Sequence, residues 1–119
     1  MTKKEQTGKR PSALSPWFRK KMPDSKTGYW VHDIDWCIYN NKTKKLMLLE
    51  EKTYGAKVSW AQKETLKILN KALHMGLKEL GVVYMGCNLI TFRGAGFEDD
   101  VYFNNDIETE GGLIEKLTF

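Results

Sequence analysis

Residues 29–53 read YWVHDIDWCIYNNKTKKLMLLEEKT, and this stretch decides the fold. Aromatic and β-branched residues are frequent from Tyr29 to Tyr39, and apolar residues return from Lys45 to Thr53, as in two β-strands. Asparagines and lysines from Asn40 to Lys44 interrupt the apolar pattern, which is typical of a turn. The stretch therefore predicts a β-hairpin.

Acidic side chains lie in both predicted strands, where burial of a carboxylate is costly unless it is paired, hydrogen-bonded or bound to a cation. Side chains two residues apart share one face of a strand, so Asp33 and Asp35 point the same way. Glu50 and Lys52 likewise share a face, whereas Glu51 points oppositely and is expected to be solvated or salt-bridged. We therefore expect a charged partner for the acids that face inward.

The length of the turn decides which of these side chains meet. If the loop is Asn41 to Lys44, Asp35 lies opposite Glu50 and Asp33 lies opposite Lys52. Facing β-carbons are then about 4.5–5.5 Å apart. A loop one residue longer or shorter would turn Asp35 away from Glu50, so the pairing is conditional on this turn.

Two carboxylates and a lysine on one face suit phosphodiester hydrolysis. Carboxylates this close repel each other when both are ionised, and a divalent cation between them converts the repulsion into binding. Mg²⁺ or Mn²⁺ takes oxygen ligands, keeps bound waters and lowers the pKa of such a water. A lysine beside the metal can orient that water or stabilise charge that develops on the phosphate.

Helices are predicted on both sides of the hairpin. Ser15 caps a short helix over Pro16 to Met22 in this interpretation. Ser59 and Gln62 form a capping box before leucines at helical spacing, which predicts a longer helix that stops at Gly76.

The C-terminal part predicts a second pair of strands, Val82 to Phe92 and Val101 to Ile107, around a glycine-bearing loop. Leu113 to Leu117 is expected to form a closing helix. Alternation of strands and helices indicates an α/β fold with a mixed central sheet flanked by helices.

The composition is that of one soluble globular domain. The chain has 119 residues, of which 41% are hydrophobic and 29% charged, and no apolar run is long enough for a membrane span. We expect a flexible basic arm over residues 1–12 and a single domain over residues 13–119. No secretory signal follows Met1, so we expect a cytoplasmic protein of prokaryotic or viral origin, without a membrane partner.

Charge is distributed unevenly along the chain. Residues 1–27 carry 8 basic and 2 acidic side chains, whereas residues 98–119 carry 1 and 7. A basic front half suits nucleic acid as a partner, because phosphates attract Lys and Arg, although basic segments also keep proteins soluble. The side chains expected to bind phosphates are Arg19, Lys20, Lys21, Lys57 and Arg93.

The hairpin and the helix after it resemble the PD-(D/E)xK nuclease superfamily. Its pattern is an aspartate followed on the next strand by Glu or Asp, any residue, and Lys, and here Asp35 precedes Glu50-Glu51-Lys52. The similarity covers about residues 29–92 and implies an αβββαβ restriction-endonuclease-like core. It further implies that Asp35 and Glu50 bind Mg²⁺ or Mn²⁺ and that Lys52 is the catalytic lysine.

Gln62 and the two residues before Asp35 also bear on this resemblance. Gln62 is similar in placement to a catalytic-site glutamine that some branches of the superfamily carry on this helix, although the capping box explains it equally well. Ile34 stands where the family pattern has proline, and Asp33 is a competing metal ligand.

The resemblance implies a metal-dependent endonuclease, acting on DNA in preference to RNA, and similar in size to stand-alone phage and junction-resolving nucleases. We expect a homodimer, because one small site cuts one strand. The alternative is a non-catalytic nucleic-acid-binding or inhibitory module on the same fold. A third hypothesis is a protein-interaction domain whose acidic tail mimics nucleic acid.

Overall fold

A computed structural model describes residues 13–119, and the predicted arm over residues 1–12 lies outside them. The chain divides into two units between Val31 and His32. In the first unit, helix α1 spans Leu14–Lys21 and a 3₁₀ turn spans Ser25–Thr27.

The second unit is a five-stranded sheet with two helices. Its elements are β1 (Trp36–Asn40), β2 (Lys45–Lys52), α2 (Trp60–Glu79), β3 (Val83–Phe92), β4 (Val101–Phe103), β5 (Asp106–Glu108) and α3 (Glu110–Leu117). The strands lie in the order β1-β2-β3-β4-β5. Only β2 and β3 are parallel, and α2 makes the long connection that parallel neighbours require.

The predicted α/β class with a mixed sheet is confirmed. Between α1 and α2 the described chain has two strands, whereas the αβββαβ order has three. No helix within residues 13–119 is long and apolar enough to cross a bilayer.

The hairpin of β1 and β2 has the predicted register. Trp36 pairs with Leu49, and the turn occupies the four residues 41–44. The next pair in that register sets Asp35 opposite Glu50.

The first strand is shorter than predicted, because it begins at Trp36 and not at Tyr29. The Asp35 side chain accepts a hydrogen bond from the Glu51 backbone N–H at 2.8 Å, an interaction that replaces further backbone pairing at this end. The expected pairing of Asp33 with a residue of β2 is therefore wrong, since Asp33 lies outside the strand.

Both predicted helices have different bounds in the structure. Helix α1 begins at Leu14 with Ala13 at its N-cap, so Ser15 lies within the helix and not at the predicted N-cap position. Helix α2 continues past Gly76 to Glu79, because a glycine within a helix is tolerated at modest cost.

The predicted strand over Val101 to Ile107 is a hairpin of two short strands. Asn104 and Asn105 both have positive φ, 50° and 72°, as a two-residue turn between twisted strands requires. Asparagine tolerates that conformation better than most residues.

Side chains of the sheet divide between the two faces. One face packs under α3 and forms the hydrophobic core, with the members Met47, Leu49, Ile90, Phe92, Val101 and Leu113. Glu50 and Lys52 project to the opposite face, since strand side chains alternate. Helix α2 covers that face with a stripe of half-buried leucines: Leu66, Leu69, Leu73 and Leu77.

Candidate active site

The carboxylate of Glu50 is buried under α2, with only 2% of the residue exposed. Its Oε1 accepts a hydrogen bond from the Asp35 backbone N–H at 3.3 Å. Its Oε2 accepts one from the Gln62 side-chain amide at 2.8 Å. A carboxylate oxygen has two lone pairs, so both oxygens keep capacity for a further ligand.

Asp35 lies beside Glu50 at the end of β1 and is exposed. Its Oδ2 accepts the Glu51 N–H, which holds the side chain against β2. The two carboxylates are also close enough to share a hydrogen bond, which raises the pKa of Glu50. The two acids therefore connect β2 to the residue before β1, because each side chain accepts a hydrogen bond from a backbone N–H beside or at the other acid.

The pKa of Glu50 is raised above its ordinary value, chiefly because burial removes water from the carboxylate. The hydrogen bond from the Asp35 N–H opposes this shift, and the negative charge of Asp35 adds to it. The charge of Lys52 lowers the pKa slightly. Asp35 and Lys52 are therefore close enough to Glu50 to change its pKa.

Lys52 follows Glu50 by two residues and shares its face of β2, as predicted. It is half-buried, whereas Glu51 points away and is exposed, as expected. Lys52 makes no ion pair within residues 13–119. Its ammonium group therefore stays available beside the two carboxylates.

Gln62 combines a helix-start position with a contact to the site. Its backbone N–H donates to the Ser59 hydroxyl at 3.2 Å, which confirms Ser59 as the N-cap. Its side chain donates to Glu50 and not back to Ser59, so only one half of the capping box forms. The geometry thus favours a role for Gln62 in holding Glu50.

Asp33 is not brought into this group. It is exposed and precedes β1. Within residues 13–119, no group of three or more His, Cys, Asp or Glu side chains could hold a metal ion. The carboxylates that the fold brings together are Asp35 and Glu50.

The loops after β2 and β3 meet beside the site. The N–H of Tyr54 donates to the Gly94 carbonyl and that of Gly55 to the Phe92 carbonyl, both at 3.0 Å. Lys57, in the first loop, is exposed. This is the carboxyl end of two parallel strands, where ligands of α/β sheets commonly bind.

The other predicted phosphate contacts lie in the loop after β3 and in helix α1. Arg93 forms an ion pair with Asp100 at 3.5 Å, which offsets its charge. In the same loop, the Ala95 and Gly96 N–H groups both donate to Glu98. In the first unit, three basic residues form the exposed last turn of α1: Arg19, Lys20 and Lys21.

A groove of about 300 Å³ begins at Glu50 and runs between α2 and β3. Half-buried Leu66, Cys87 and Leu89 line it. Exposed polar side chains of α2 also line it: Lys63, Lys67 and Asn70.

Asn70 links the two sides of the groove, because its Oδ1 accepts the Cys87 N–H at 3.2 Å. No motif marks Asn70 or Lys63 in the sequence. The signal in the sequence that could have indicated Asn70 is that an asparagine, a poor helix former, occurs beside the leucine stripe of α2.

The structure thus brings together Asp35, Glu50, Lys52 and Gln62 on one face of the sheet, and a groove leads away from them. Comparisons of the chain with protein-family models, with curated proteins and with solved structures found no match.

Proposed function

We propose that this protein is a metal-dependent nuclease that hydrolyses phosphodiester bonds, in DNA rather than RNA, at a restriction-endonuclease-like site. The observation that carries the proposal is the buried carboxylate of Glu50, which faces Asp35 and shares its side of the sheet with Lys52. Lysine next to paired acids at the end of a strand is what this chemistry needs.

Burial of Glu50 supports a ligand more than a structural role. An ionised carboxylate out of water is costly unless it is paired, hydrogen-bonded or bound to a cation. Two hydrogen bonds compensate Glu50 only in part, since its pKa is still raised. None of the three ion pairs found in residues 13–119 includes Glu50 or Asp35. A divalent cation would supply the missing compensation.

The donor set fits Mg²⁺ or Mn²⁺. Magnesium takes oxygen ligands and is commonly held by one or two carboxylates, with waters and substrate phosphate oxygens completing its shell. Asp35 and Glu50 would hold the ion through the oxygens that keep free lone pairs. When bound, the metal supplies a water of lowered pKa and neutralises phosphate charge.

Three side chains of the protein have further roles beside the metal ligands. Lys52 stabilises the negative charge that develops on the phosphate, or orients the attacking water. Gln62 is a positioning residue, because its amide fixes Oε2 of Glu50. Lys57 is exposed at the carboxyl end of β2 and supplies positive charge for the nucleic acid backbone.

Cleavage assays test the proposal. Supercoiled, linear, single-stranded and branched DNA, and matched RNA, are incubated with Mg²⁺, Mn²⁺ or EDTA. We expect metal-dependent cleavage by the wild type. Lys52→Ala should lower the rate by about 10²–10³-fold while nucleic acid binding persists, because one charge-stabilising group is lost.

Lys42→Ala is the matched control, since Lys42 is an exposed lysine in the hairpin turn at the other end of β2. It should cleave like the wild type. Binding without cleavage under every metal condition would reject the nuclease and favour a non-catalytic binding or inhibitory module.

A further inference from the structure

The groove beside α2 is continuous with the candidate site. Glu50 lines one end of it, and Asn70 of α2 lies about two turns further along the helix from Gln62. Its volume of about 300 Å³ is at the lower end of the range for small-molecule sites, about 300–1,000 Å³. The groove therefore has room for one small ring system next to the carboxylates, and none for a duplex.

The lining combines an apolar surface with an unused hydrogen-bond donor. Leu66 and Leu89 present aliphatic surface, and the Cys87 thiol stays neutral because burial and the nearby charge of Glu50 raise its pKa. The Oδ1 of Asn70 is fixed by the Cys87 N–H, which identifies the other end of the amide as Nδ2. Nδ2 has no hydrogen bond to residues 13–119, so it can donate to a carbonyl oxygen in the groove.

Positive charge accompanies this surface. Lys63 and Lys67 are four residues apart and therefore lie on one side of α2, along the groove. The contact of Lys67 with Glu64 is 3.3 Å long and exposed, which makes it weak. Two lysines beside a partly apolar groove suit a phosphate backbone whose base lies in the groove.

A base can enter this groove only after it leaves a helical stack. Paired bases inside a duplex are inaccessible to a pocket, and proteins that use such a pocket bind a flipped or single-stranded base. Basic grooves that follow the phosphate backbone are typical of single-strand binding.

We propose that the groove between α2 and β3 binds an unpaired nucleobase next to the phosphate that is cleaved, with Asn70 donating to a base carbonyl. This inference rests on the proposed nuclease function and names its substrate class as single-stranded or locally unpaired nucleic acid.

Binding without metal tests the inference separately from catalysis. Fluorescence anisotropy in EDTA compares oligothymidylate of about 12 nucleotides, a length that spans one single-strand site, with a duplex of equal length. We expect the wild type to bind the single strand about tenfold more tightly, because only an unpaired base can enter the groove and add its contacts to those of the phosphates.

Asn70→Asp keeps the acceptor for the Cys87 N–H, removes the donor and adds a negative charge at an exposed position, so the fold should persist. It should reduce the preference for single strands to less than about threefold, since a bound base carbonyl would then face a carboxylate. Asn41→Asp makes the same charge change in the hairpin turn, where Asn41 Oδ1 accepts from Lys44. That control should retain the wild-type preference.

A second measurement locates the base. Titration of thymidine monophosphate in EDTA, followed by NMR, should shift the backbone amides of Cys87 and Leu89. Equal binding of single strand and duplex, an equal loss of both in Asn70→Asp, or unshifted groove amides would overturn the inference.

Failure of this inference and failure of the proposed function give different results. Metal-dependent cleavage without a single-strand preference leaves the nuclease and rejects the groove as a base site. A single-strand preference that depends on Asn70, without cleavage under any metal, leaves the base site and rejects the nuclease.

Discussion

The two faces of the sheet bury neighbouring residues of opposite chemistry. Leu49 and Glu50 are consecutive in β2 and expose 5% and 2% of their surfaces. Leu49 packs on the α3 face among apolar residues of β3 and α3. Glu50 lies on the α2 face against Asp35 and Gln62.

Burial of Leu49 and burial of ionised Glu50 have opposite effects on the free energy of folding. Removal of an apolar side chain such as Leu49 from water stabilises the fold, by about 1.5–3 kcal/mol for a fully buried side chain. Removal of Glu50 from water destabilises its ionised form, as its raised pKa indicates. The α3 face thus stabilises the sheet, whereas the α2 face carries a carboxylate whose charge the protein compensates only in part.

The largest expected effect is on the α3 face. Leu49→Ala should lower the free energy of unfolding by about 2–5 kcal/mol, because it leaves a cavity in the core. Urea denaturation measures the loss. Ile107→Ala is the control, since Ile107 is 66% exposed and should change stability by less than about 0.5 kcal/mol.

The cleavage rate of the folded Leu49→Ala fraction should match that of the wild type. A variant that loses turnover without losing stability would contradict the division between the faces.

A smaller effect is expected at Gln62, and it distinguishes this residue from Ser59, the other residue of the capping box. Gln62→Ala should weaken activity or metal affinity about 10–100-fold, because the residue that orients a ligand is removed. Its backbone N–H still reaches Ser59, so the helix cap is kept, and any loss of stability comes from the Glu50 carboxylate that loses its amide donor. Steady-state cleavage and calorimetric titration with Mn²⁺ measure the effect.

Ser59→Ala is the matched variant. It should cost about 1 kcal/mol of stability through loss of the cap, with normal metal affinity. If both variants lose only stability, Gln62 is a helix-capping residue and nothing more.

The smallest effect is a pH dependence in the absence of metal. Folded Glu50 binds its proton more tightly than unfolded Glu50, so its contribution to stability is present at low pH and is lost as the pH rises through the raised pKa. Glu50→Gln cannot titrate. The unfolding free energy of the wild type minus that of Glu50→Gln should therefore fall from pH 4 to pH 8 in EDTA, by urea denaturation. A difference that rises with pH would show that Glu50 is stabilised as an anion by the protein alone.

Local signals in the sequence predicted the hairpin and its register. The turn over residues 41–44 and the alternation in β2 fix which side chains face each other, so the placement of Asp35 against Glu50 followed from short-range pattern. The Ser59 cap was equally local. Nuclease activity, nucleic acid partners, a homodimer and a cytoplasmic location stay predictions.

Features that depend on tertiary contacts were not predictable. The start of β1 is set by the Asp35 side chain bonding to Glu51, which strand propensity does not register. The groove exists because α2 crosses β3, and Asn70 meets Cys87 from 17 residues away. The choice of Gln62 between Ser59 and Glu50 likewise depends on where α2 lies above the sheet.

Anomalous diffraction from crystals soaked in Mn²⁺ tests the central claim most directly. We predict an anomalous difference peak bound by carboxylate oxygens of both Asp35 and Glu50, and loss of that peak in Glu50→Gln crystals. Manganese peaks elsewhere on the protein with none at this pair, while Gln62 and the Asp35 N–H still bond Glu50, would contradict the account.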